Sequence, residues 1–425
     1  MSAKRENQRA GSLDSAPDGK LAHMAEERPP REIGEWIVSA TLAGTDEIGI
    51  LAGIGQRLNA AGVPIVRISV ATDLLDPMFD GRGVRWLRDE GGLEETFARD
   101  DEGTIVTVDF PRSPFGFLLR SGKPAMRRRL DATYERGEFS MLDRFQDQGV
   151  TDYIAFSVRV GKSMQVGGAG GMTGSWTTDA PGGFTDAQVE LLTSLMPLLT
   201  LSILLQTTHR DTRTLLTTYL GRHAADRVLA GNIVRGRAEP IRAVVWFSDL
   251  VGFTRISDNT SPEHVLALLN DYAQAQIEAI EAHAGHVLKF IGDGLLAIFP
   301  DDDSTKACTR ALDAAVKMRK QVAKLNVKRA AQDLPITDTH LALHLGELLY
   351  GNLGGPRRLD FTVLGSAVNE AARIEALCAS LDQKVIVSWA FHEAAGDARN
   401  RLVSLGRYAM KGVAKPQELF TLDPG

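Results

Sequence analysis

The sequence of 425 residues contains only two cysteines, Cys308 and Cys378. Two isolated cysteines provide no disulfide framework and indicate a reducing compartment, so we expect a cytoplasmic location. Between residues 33 and 207 the chain has neither histidine nor cysteine. This absence disfavours a haem held by an axial ligand, a thioether-linked bilin and a flavin chemistry that uses cysteine in that region.

The sequence also lacks a strong charge bias and a long hydrophobic run. A net charge of -6 gives no support for a nucleic-acid partner or for binding to an anionic membrane. The most apolar run, residues 191–205, contains Pro197 and is short for a membrane span. We therefore expect a buried or dimer-facing helix there and no membrane span. The first thirty or so residues lack the apolar segment of a secretory signal.

The length of the chain predicts two or three domains, and changes in sequence pattern place their boundaries. Residues 1–32 have the polar composition of a disordered tail. Residues 33–207 alternate helix and strand patterns, and residues 208–238 form a helical connector that breaks near Gly221. Residues 239–425 form the C-terminal domain.

Helix and strand signals order the N-terminal domain. Thr45 is a suitable N-cap for a helix that ends near Gly62, and residues 66–70 alternate as in a strand. Strand-like runs also cover residues 104–110 and 153–160, and the long apolar helix follows. This order of helix, strands and final long helix resembles GAF-type sensor domains. The resemblance implies an α/β regulatory domain with a small non-covalent ligand, or a dimerisation module without a ligand.

The connector carries an apolar seam at helical spacing. Its members are Leu216, Tyr219, Leu220, Ala224 and Val228. A second copy of the chain could pack on this seam. The connector is therefore a candidate transmitter between the domains, with a plain linker helix as the alternative.

In the C-terminal domain two short apolar runs lead to an aspartate at a turn. Asp249 ends the run that begins at Val244, and Asp293 follows a strand pattern over residues 286–291. The returning strand begins at Leu295. If this hairpin lies beside the first strand, the two carboxylates end adjacent strands and form a site for hard divalent cations.

Four segments of the C-terminal domain occur in the order found in a known family. They are Phe247-Ser248-Asp249 with Gly252-Phe253-Thr254, residues 289–294, Gly351-Asn352-Leu353-Gly354 and residues 361–373. Together they resemble the catalytic domain of class III nucleotidyl cyclases. The resemblance implies an α+β fold with a ferredoxin-like βαββαβ core. The alternative is a catalytically idle cyclase-like module for signalling or dimerisation.

The resemblance implies metal ligands and catalytic residues at the matching positions. Asp249 and Asp293 match the family's metal-binding aspartates, and the backbone carbonyl of Leu250 is expected to contribute to one of two Mg²⁺ or Mn²⁺ shells. Asn369 and Arg373 match the family's catalytic pair. Since they are four residues apart on a helix, they share a face, where the amide orients the ribose and the guanidinium stabilises the phosphorane.

The resemblance also assigns the residues that contact the nucleotide. Lys289 and Thr362 match the base-reading pair, and Lys411 matches a lysine that contacts the terminal phosphates. An ammonium only donates, so Lys289 suits the N1 acceptor of adenine and opposes the N–H of guanine. Thr362 can accept from the 6-amino group. A guanylyl site of this family typically carries Glu and Cys at these two positions.

These residues predict an adenylyl cyclase with ATP as its substrate. A guanylyl or relaxed-specificity cyclase is the alternative, and a diguanylate cyclase is disfavoured because its Gly-Gly-Asp/Glu-Glu-Phe signature is missing. The family's site lies between two catalytic domains. The resemblance therefore implies a head-to-tail homodimer whose active sites are shared between subunits.

Other polar residues have simpler explanations. His340 and His344 alternate with leucines, so we expect them on the outer face of a strand rather than at a metal. The acidic run at residues 301–303 is suited to capping a helix. Arg357 and Arg358 are expected in a solvated loop, with contact to a phosphate or a partner as the alternative.

Overall fold

The structure is a computed structural model that describes residues 28–98, 110–165, 170–410 and 416–423. The chain divides into two compact units, which meet in sequence between Thr212 and Arg213. Each unit contains its own sheet and its own helices. The predicted α+β class is therefore confirmed.

The N-terminal unit is built on one antiparallel sheet. Its elements are α1 (Arg28–Leu42), α2 (Glu47–Ala60), β1 (Arg67–Asp73), β2 (Phe79–Leu87), β3 (Gly91–Ala98), α3 (Pro114–Ser121), β4 (Ala125–Arg129), α4 (Ser140–Asp147), β5 (Asp152–Arg159), β6 (Gly171–Thr178) and α5 (Asp186–Leu220). The strands lie in the order β3-β2-β1-β6-β5-β4. Apolar side chains of α1, α2 and α5 pack against the sheet in one core. The GAF assignment itself stays a prediction.

The predicted disordered tail overlaps the first helix. Residues 1–27 lie outside the described residues, whereas residues 28–32 belong to α1. Ile33 and Ile37 lie four residues apart and are buried in the core of this unit. This packing stabilises a helix that a polar, proline-containing sequence does not indicate.

Two local predictions in the N-terminal unit also differ from the structure. Asp46 rather than Thr45 caps α2, because its carboxylate accepts the backbone N–H of Gly49 at 2.8 Å. The strand predicted for residues 104–110 lies outside the described residues except for Phe110, which begins a short 3₁₀ helix. The strand predicted for residues 153–160 is confirmed as β5.

The helix α5 contains the apolar run and Pro197 within a single helix of 35 residues. Leu195 and Leu199 are buried in the core, whereas Leu201 and Leu205 are 67% and 56% exposed. Among the described residues α5 is the one helix long and apolar enough, by length and composition, to cross a membrane. Within its apolar window 39% of the residues are buried. The expected absence of a membrane span stays a prediction.

The C-terminal unit is built on a larger mixed sheet. Its elements after α5 are α6 (Arg222–Leu229), β7 (Ala238–Leu250), α7 (Phe253–Asp258), α8 (Pro262–Glu281), β8 (His286–Ile291), β9 (Gly294–Pro300), α9 (Ser304–Ala330), β10 (Thr339–Gly355), β11 (Arg358–Leu364), α10 (Ser366–Glu375), α11 (Cys378–Leu381), β12 (Val385–Ser388), α12 (Trp389–Ala394), β13 (Leu402–Tyr408) and β14 (Gln417–Leu422). The strands lie in the order β13-β14-β12-β10-β7-β9-β8, and β11 pairs with β10.

The strand β7 lies in the interior of this sheet and is buried on both faces. Val244 and Trp246 pack into the core beneath α8 and α9, whereas Ala243 and Val245 pack into a second core with residues of α6 and α10. A strand covered on both faces reads as a continuous apolar run, as this one does. The buried strand holds its C-terminal end, with Asp249, in a fixed position.

The connector has the predicted break. α5 ends at Leu220 and α6 begins at Arg222, with Gly221 between them at a φ of 77°. The helical part of the connector ends at Leu229, earlier than the predicted residue 238. The remaining residues reach the sheet without helical structure.

Candidate active site

Asp249 and Asp293 lie together at one edge of the C-terminal unit. β7 and β9 pair antiparallel from Ala243 opposite Pro300 to Ser248 opposite Leu295, which brings the turn before β9 next to the end of β7. The backbone N–H of Leu250 donates to Oδ2 of Asp293 at 3.3 Å. The prediction that the two carboxylates end adjacent strands is confirmed.

The two carboxylates strongly affect each other. Burial, the charge of Asp293 and a hydrogen bond with it raise the pKa of Asp249 to about 6. A cation in contact with both carboxylates would offset the repulsion between their negative charges. Among the described residues no group of three or more His, Cys, Asp and Glu side chains is placed to hold a metal ion. An ion at this pair would therefore complete its shell with backbone, water or phosphate oxygens.

Glu375 is a third carboxyl group in these surroundings. Burial, followed by the charges of Asp249 and Asp293, raises its pKa to about 7. Its Oε1 lies 3.8 Å from Nδ1 of His340, and His340 is the β10 residue opposite Asp249. Glu375 was not predicted from the sequence, because nothing in its spacing shows that the end of α10 lies near the end of β7.

The expected outward position of His340 and His344 is wrong for His344. His344 is 5% exposed, and its Nε2 lies 3.9 Å from Glu370 of α10. The helix α10 covers this face of β10, so both histidines lie beneath it rather than in solvent. Burial lowers the pKa of both imidazoles. The alternation of residues along a strand assigns each side chain to one of two faces, but it does not show which face a helix covers.

Asn369 and Arg373 lie on the uncovered side of α10. Ala367, Ala371 and Ile374 form the buried face of this helix, at spacings of four and three residues. Asn369 is exposed and Arg373 is half-buried. Within the described part of the chain, no hydrogen bond or ion pair engages either side chain, so both are available to a ligand.

Lys289, the predicted base-reading lysine, has a partner that was not predicted from the sequence. Nζ of Lys289 lies 2.5 Å from Oδ2 of Asp360. Asp360 stands two residues before Thr362 in β11, so this ion pair connects β8 with β11. Thr362 itself is buried, opposite Gly351 of β10. The signal for Asp360 was weak, since an acid in a loop next to two arginines is usually solvated.

Asp249 and Thr362 lie apart within one chain. Asp249 pairs with His340 near one end of β10, whereas Thr362 pairs with Gly351 near the other end. A pocket of about 180 Å³ beside Asp293 is lined by residues of α8, β8 and β9. None of Lys289, Thr362, Asn369 and Arg373 lines that pocket. Lys411 lies outside the described residues.

Comparison with known sequences identifies the C-terminal unit. Residues 238–424 match the adenylate and guanylate cyclase catalytic domain family. This unit is a class III cyclase catalytic domain. The cyclase domain is 34% identical over 161 residues to an adenylate cyclase of Anabaena cylindrica. The aligned region covers 37% of this chain and 31% of that protein.

Another similar sequence is adenylate cyclase 1 of Rhizobium meliloti, with 30% identity over 182 residues. That match covers 40% of this chain and 27% of the relative, so the chain spans about a third or less of these two relatives. Among solved structures, a bacterial light-regulated adenylyl cyclase is 26% identical with a TM-score of 0.46. The aligned region covers 54% of this chain and 64% of the light-regulated cyclase chain.

Proposed function

We propose that the protein is an adenylyl cyclase, which converts ATP to 3′,5′-cyclic AMP and pyrophosphate. The observation that carries this proposal is a cyclase domain in which Asp249 lies beside Asp293 while Lys289 is held next to the strand of Thr362. An idle cyclase-like module would have no need to keep both groups. The two adenylate cyclases among the similar sequences agree with this substrate.

The aspartate pair is suited to the reacting end of ATP. Two divalent cations, Mg²⁺ or Mn²⁺, would activate the ribose 3′-hydroxyl and neutralise charge on the α-phosphate and the departing pyrophosphate. Asp249 and Asp293 would hold them, with the carbonyl of Leu250 as a further oxygen. The raised pKa of Asp249 fits this role, because an added positive charge relieves the repulsion that causes it.

Asn369 and Arg373 act on the ribose and the phosphorane. The 3′-oxygen attacks the α-phosphorus while the bond to pyrophosphate breaks, and negative charge builds up on the α-phosphate oxygens. An exposed amide at Asn369 can orient the ribose, and the guanidinium of Arg373 can donate to the charged oxygens from the same helix face. Lys411 is proposed to contact the terminal phosphates.

Lys289 is proposed to select adenine. The ion pair with Asp360 uses one of the three donors of the ammonium and fixes its position, which leaves donors for N1 of adenine. Thr362 is proposed as the acceptor of the 6-amino group. Guanine would present its N1–H to the ammonium, and two donors cannot form a hydrogen bond. The guanine complex would therefore lose one hydrogen bond and leave a buried donor without a partner.

Each active site is proposed to be completed by a second copy of the chain. A homodimer would place Asp249 and Asp293 of one subunit against Lys289, Asn369 and Arg373 of its partner. A two-fold arrangement then gives two equivalent sites. The positions of Asp249 and Thr362 toward opposite ends of β10 support this assembly.

The N-terminal unit is proposed to regulate the cyclase domain. It contains a cavity of about 290 Å³ lined by polar groups of the sheet, such as Asp73 and Thr173, and by apolar groups such as Phe97 and Met172. This volume suits a small non-covalent ligand. The two cysteines of the chain are buried free thiols, which fits a cytoplasmic protein.

The test is the turnover of ATP and GTP by the purified full-length chain with Mg²⁺ or Mn²⁺, with products identified by mass spectrometry. We expect cyclic AMP, and a kcat/KM for ATP at least about tenfold above that for GTP, since one lost hydrogen bond is worth about 1.4 kcal/mol or more. Asp293→Asn should remove activity, whereas Asp302→Asn, in the exposed loop before α9, should retain it.

Two results would contradict the proposal. Equal turnover of GTP would favour a relaxed-specificity cyclase. The absence of a cyclic nucleotide from either substrate, in a folded dimeric protein, would favour the idle module.

A further inference from the structure

Four aromatic side chains form a continuous aromatic stack, made of His223, His286, Tyr350 and Phe361. The His223 ring lies nearly parallel to the His286 ring, with 4.6 Å between centroids and an angle of 9°. Its distance to the Tyr350 ring is 5.3 Å, at 17°. Phe361 meets Tyr350 edge-on at 4.7 Å and 85°.

The aromatic stack joins the connector to the strands that carry the base-reading residues. His223 is the second residue of α6, and His286 is the first residue of β8, three residues before Lys289. Phe361 lies in β11 and directly precedes Thr362. His223 of the connector therefore lies between His286 of β8 and Tyr350 of β10, and Phe361 of β11 ends the stack.

The start of α6 is closely fitted to β8. A Cβ atom added to Gly221 would lie 2.8 Å from the backbone oxygen of Val287, so no larger residue fits there without movement. Ala224 is buried in the same core as Tyr350 and Phe361. Arg227 forms an ion pair with Glu239 of β7. A displacement of α6 would therefore be passed to β8 rather than absorbed by loose packing.

The two imidazoles stack as neutral rings at neutral pH. Burial, then the charge of Arg227, lowers the pKa of His223, and Asp226 opposes this effect. Burial, His223 and Arg310 lower the pKa of His286 to about 4. Neutral rings avoid the repulsion that two stacked imidazolium groups would have.

We propose that His223 is a positioning residue for nucleotide recognition, because the aromatic stack sets the spacing of β8 and β11 and so places Lys289 relative to Thr362. This inference rests on the proposed function. The ion pair between Lys289 and Asp360 spans the same two strands, so it depends on the same spacing. A signal that moves the connector would then change base recognition first. Asp293 is anchored separately, by the N–H of Leu250.

The test uses steady-state kinetics of the full-length chain with ATP and GTP. His223→Leu keeps most of the side-chain volume but removes the aromatic ring. We expect the KM for ATP to rise about two- to tenfold, the range that corresponds to one aromatic pair, with a similar fall in the preference for ATP over GTP. The kcat should stay within about twofold. His223→Phe should restore both values, and His264→Leu, at an exposed position of α8, should change neither.

A His223→Leu protein with an unchanged KM and an unchanged preference for ATP would overturn the inference. So would a fall in kcat alone, or a His223→Phe variant as impaired as His223→Leu. If His223→Leu does not fold, His286→Leu removes the same contact from the other side and is judged by the same values.

A second readout separates this inference from the proposed function. If the wild-type chain forms no cyclic nucleotide, the proposed function fails. The dissociation constant of an unreactive ATP analogue, measured by fluorescence, should still rise about two- to tenfold in His223→Leu. An unchanged dissociation constant would overturn the role of His223.

Discussion

Burial and two neighbouring aspartates raise the pKa of the Glu375 carboxyl group. Its pKa is raised from 4.5 to about 7, so the folded protein keeps a proton that the unfolded chain loses. The associated stability is fully present below pH 4.5 and is lost as the pH rises through about 7. Above that pH the folded protein holds a third negative charge next to Asp249 and Asp293.

Glu375→Gln should remove this pH-dependent loss, because glutamine resembles the protonated carboxyl group. In metal-free protein we expect the variant to match the wild type at pH 5 and to be more stable at pH 8. The gain should be about 1 kcal/mol, less than the full pKa shift implies, because solvent screens a partly accessible group. Thermal unfolding with a chelator at both pH values measures it.

Glu393→Gln, at an exposed position of α12, is the control and should give no gain that depends on pH. An equal effect of Glu375→Gln at pH 5 and pH 8 would contradict the raised pKa of Glu375.

The site residues that could be predicted from the sequence are those whose spacing or motif is local. Asp249 and Asp293 each end a strand pattern, and Asn369 and Arg373 share a helical spacing. Asp360 and Glu375 were missed for the same physical reason. Their roles depend on partners in strands distant in sequence, and only the folded sheet brings those partners close.

The hairpin of β8 and β9 is the element that places Asp293. Gly294, the first residue of β9, packs against the end of β7. A Cβ atom at Gly294 would lie 2.3 Å from the backbone oxygen of Ser248 and 3.1 Å from Oδ1 of Asp249. The backbone oxygen cannot move aside as a flexible side chain would, so the strands would have to separate.

Gly294→Ala should therefore displace the hairpin from β7. We expect a loss of stability of about 1–3 kcal/mol, as for other overpacked sites, and a fall in kcat of at least about tenfold. Thermal unfolding and cyclase assays on the full-length chain measure both effects. Gly161→Ala, where an added Cβ atom meets nothing within 4 Å, should be neutral. Wild-type kcat in Gly294→Ala would contradict this role of the glycine.

Several elements were predictable from local signals. The hairpin of β8 and β9, the helix after Ser261 and the break at Gly221 all follow from strand alternation, caps and glycine. The helical part of the connector was predicted too long, since the residues after Leu229 include Gly231, Asn232 and Gly236, which a helix interior tolerates poorly. Which face of β10 is covered depends on α10, and no local pattern gives that.

At the scale of the whole molecule, the chain carries one cyclase domain with two groups of site residues. Asp249 and Asp293 would act on the phosphates, whereas Lys289, Asn369 and Arg373 would bind the rest of the nucleotide. Asp249 and Thr362 lie toward opposite ends of β10. The central claim is that two copies of the chain complete each other's sites.

The shared site could be predicted from the sequence only through the resemblance to the cyclase family. Spacing places Asn369 beside Arg373 on one helix but does not tell how far either lies from Asp249. The observed register of β10 with β7 and β11 places Asp249 and Thr362 toward opposite ends of β10. It supports the dimer from geometry instead of from family membership.

The most direct measurement is the cyclase activity of a mixture of two inactive variants, Asp249→Ala and Arg373→Ala. Each variant alone should be inactive, since every site in its homodimer lacks one essential group. After subunit exchange, up to about half of the subunits pair as mixed dimers, each with one intact site, so activity should return to about a quarter of the wild-type value. No recovery, with subunit exchange verified by differently labelled copies, would contradict the shared site.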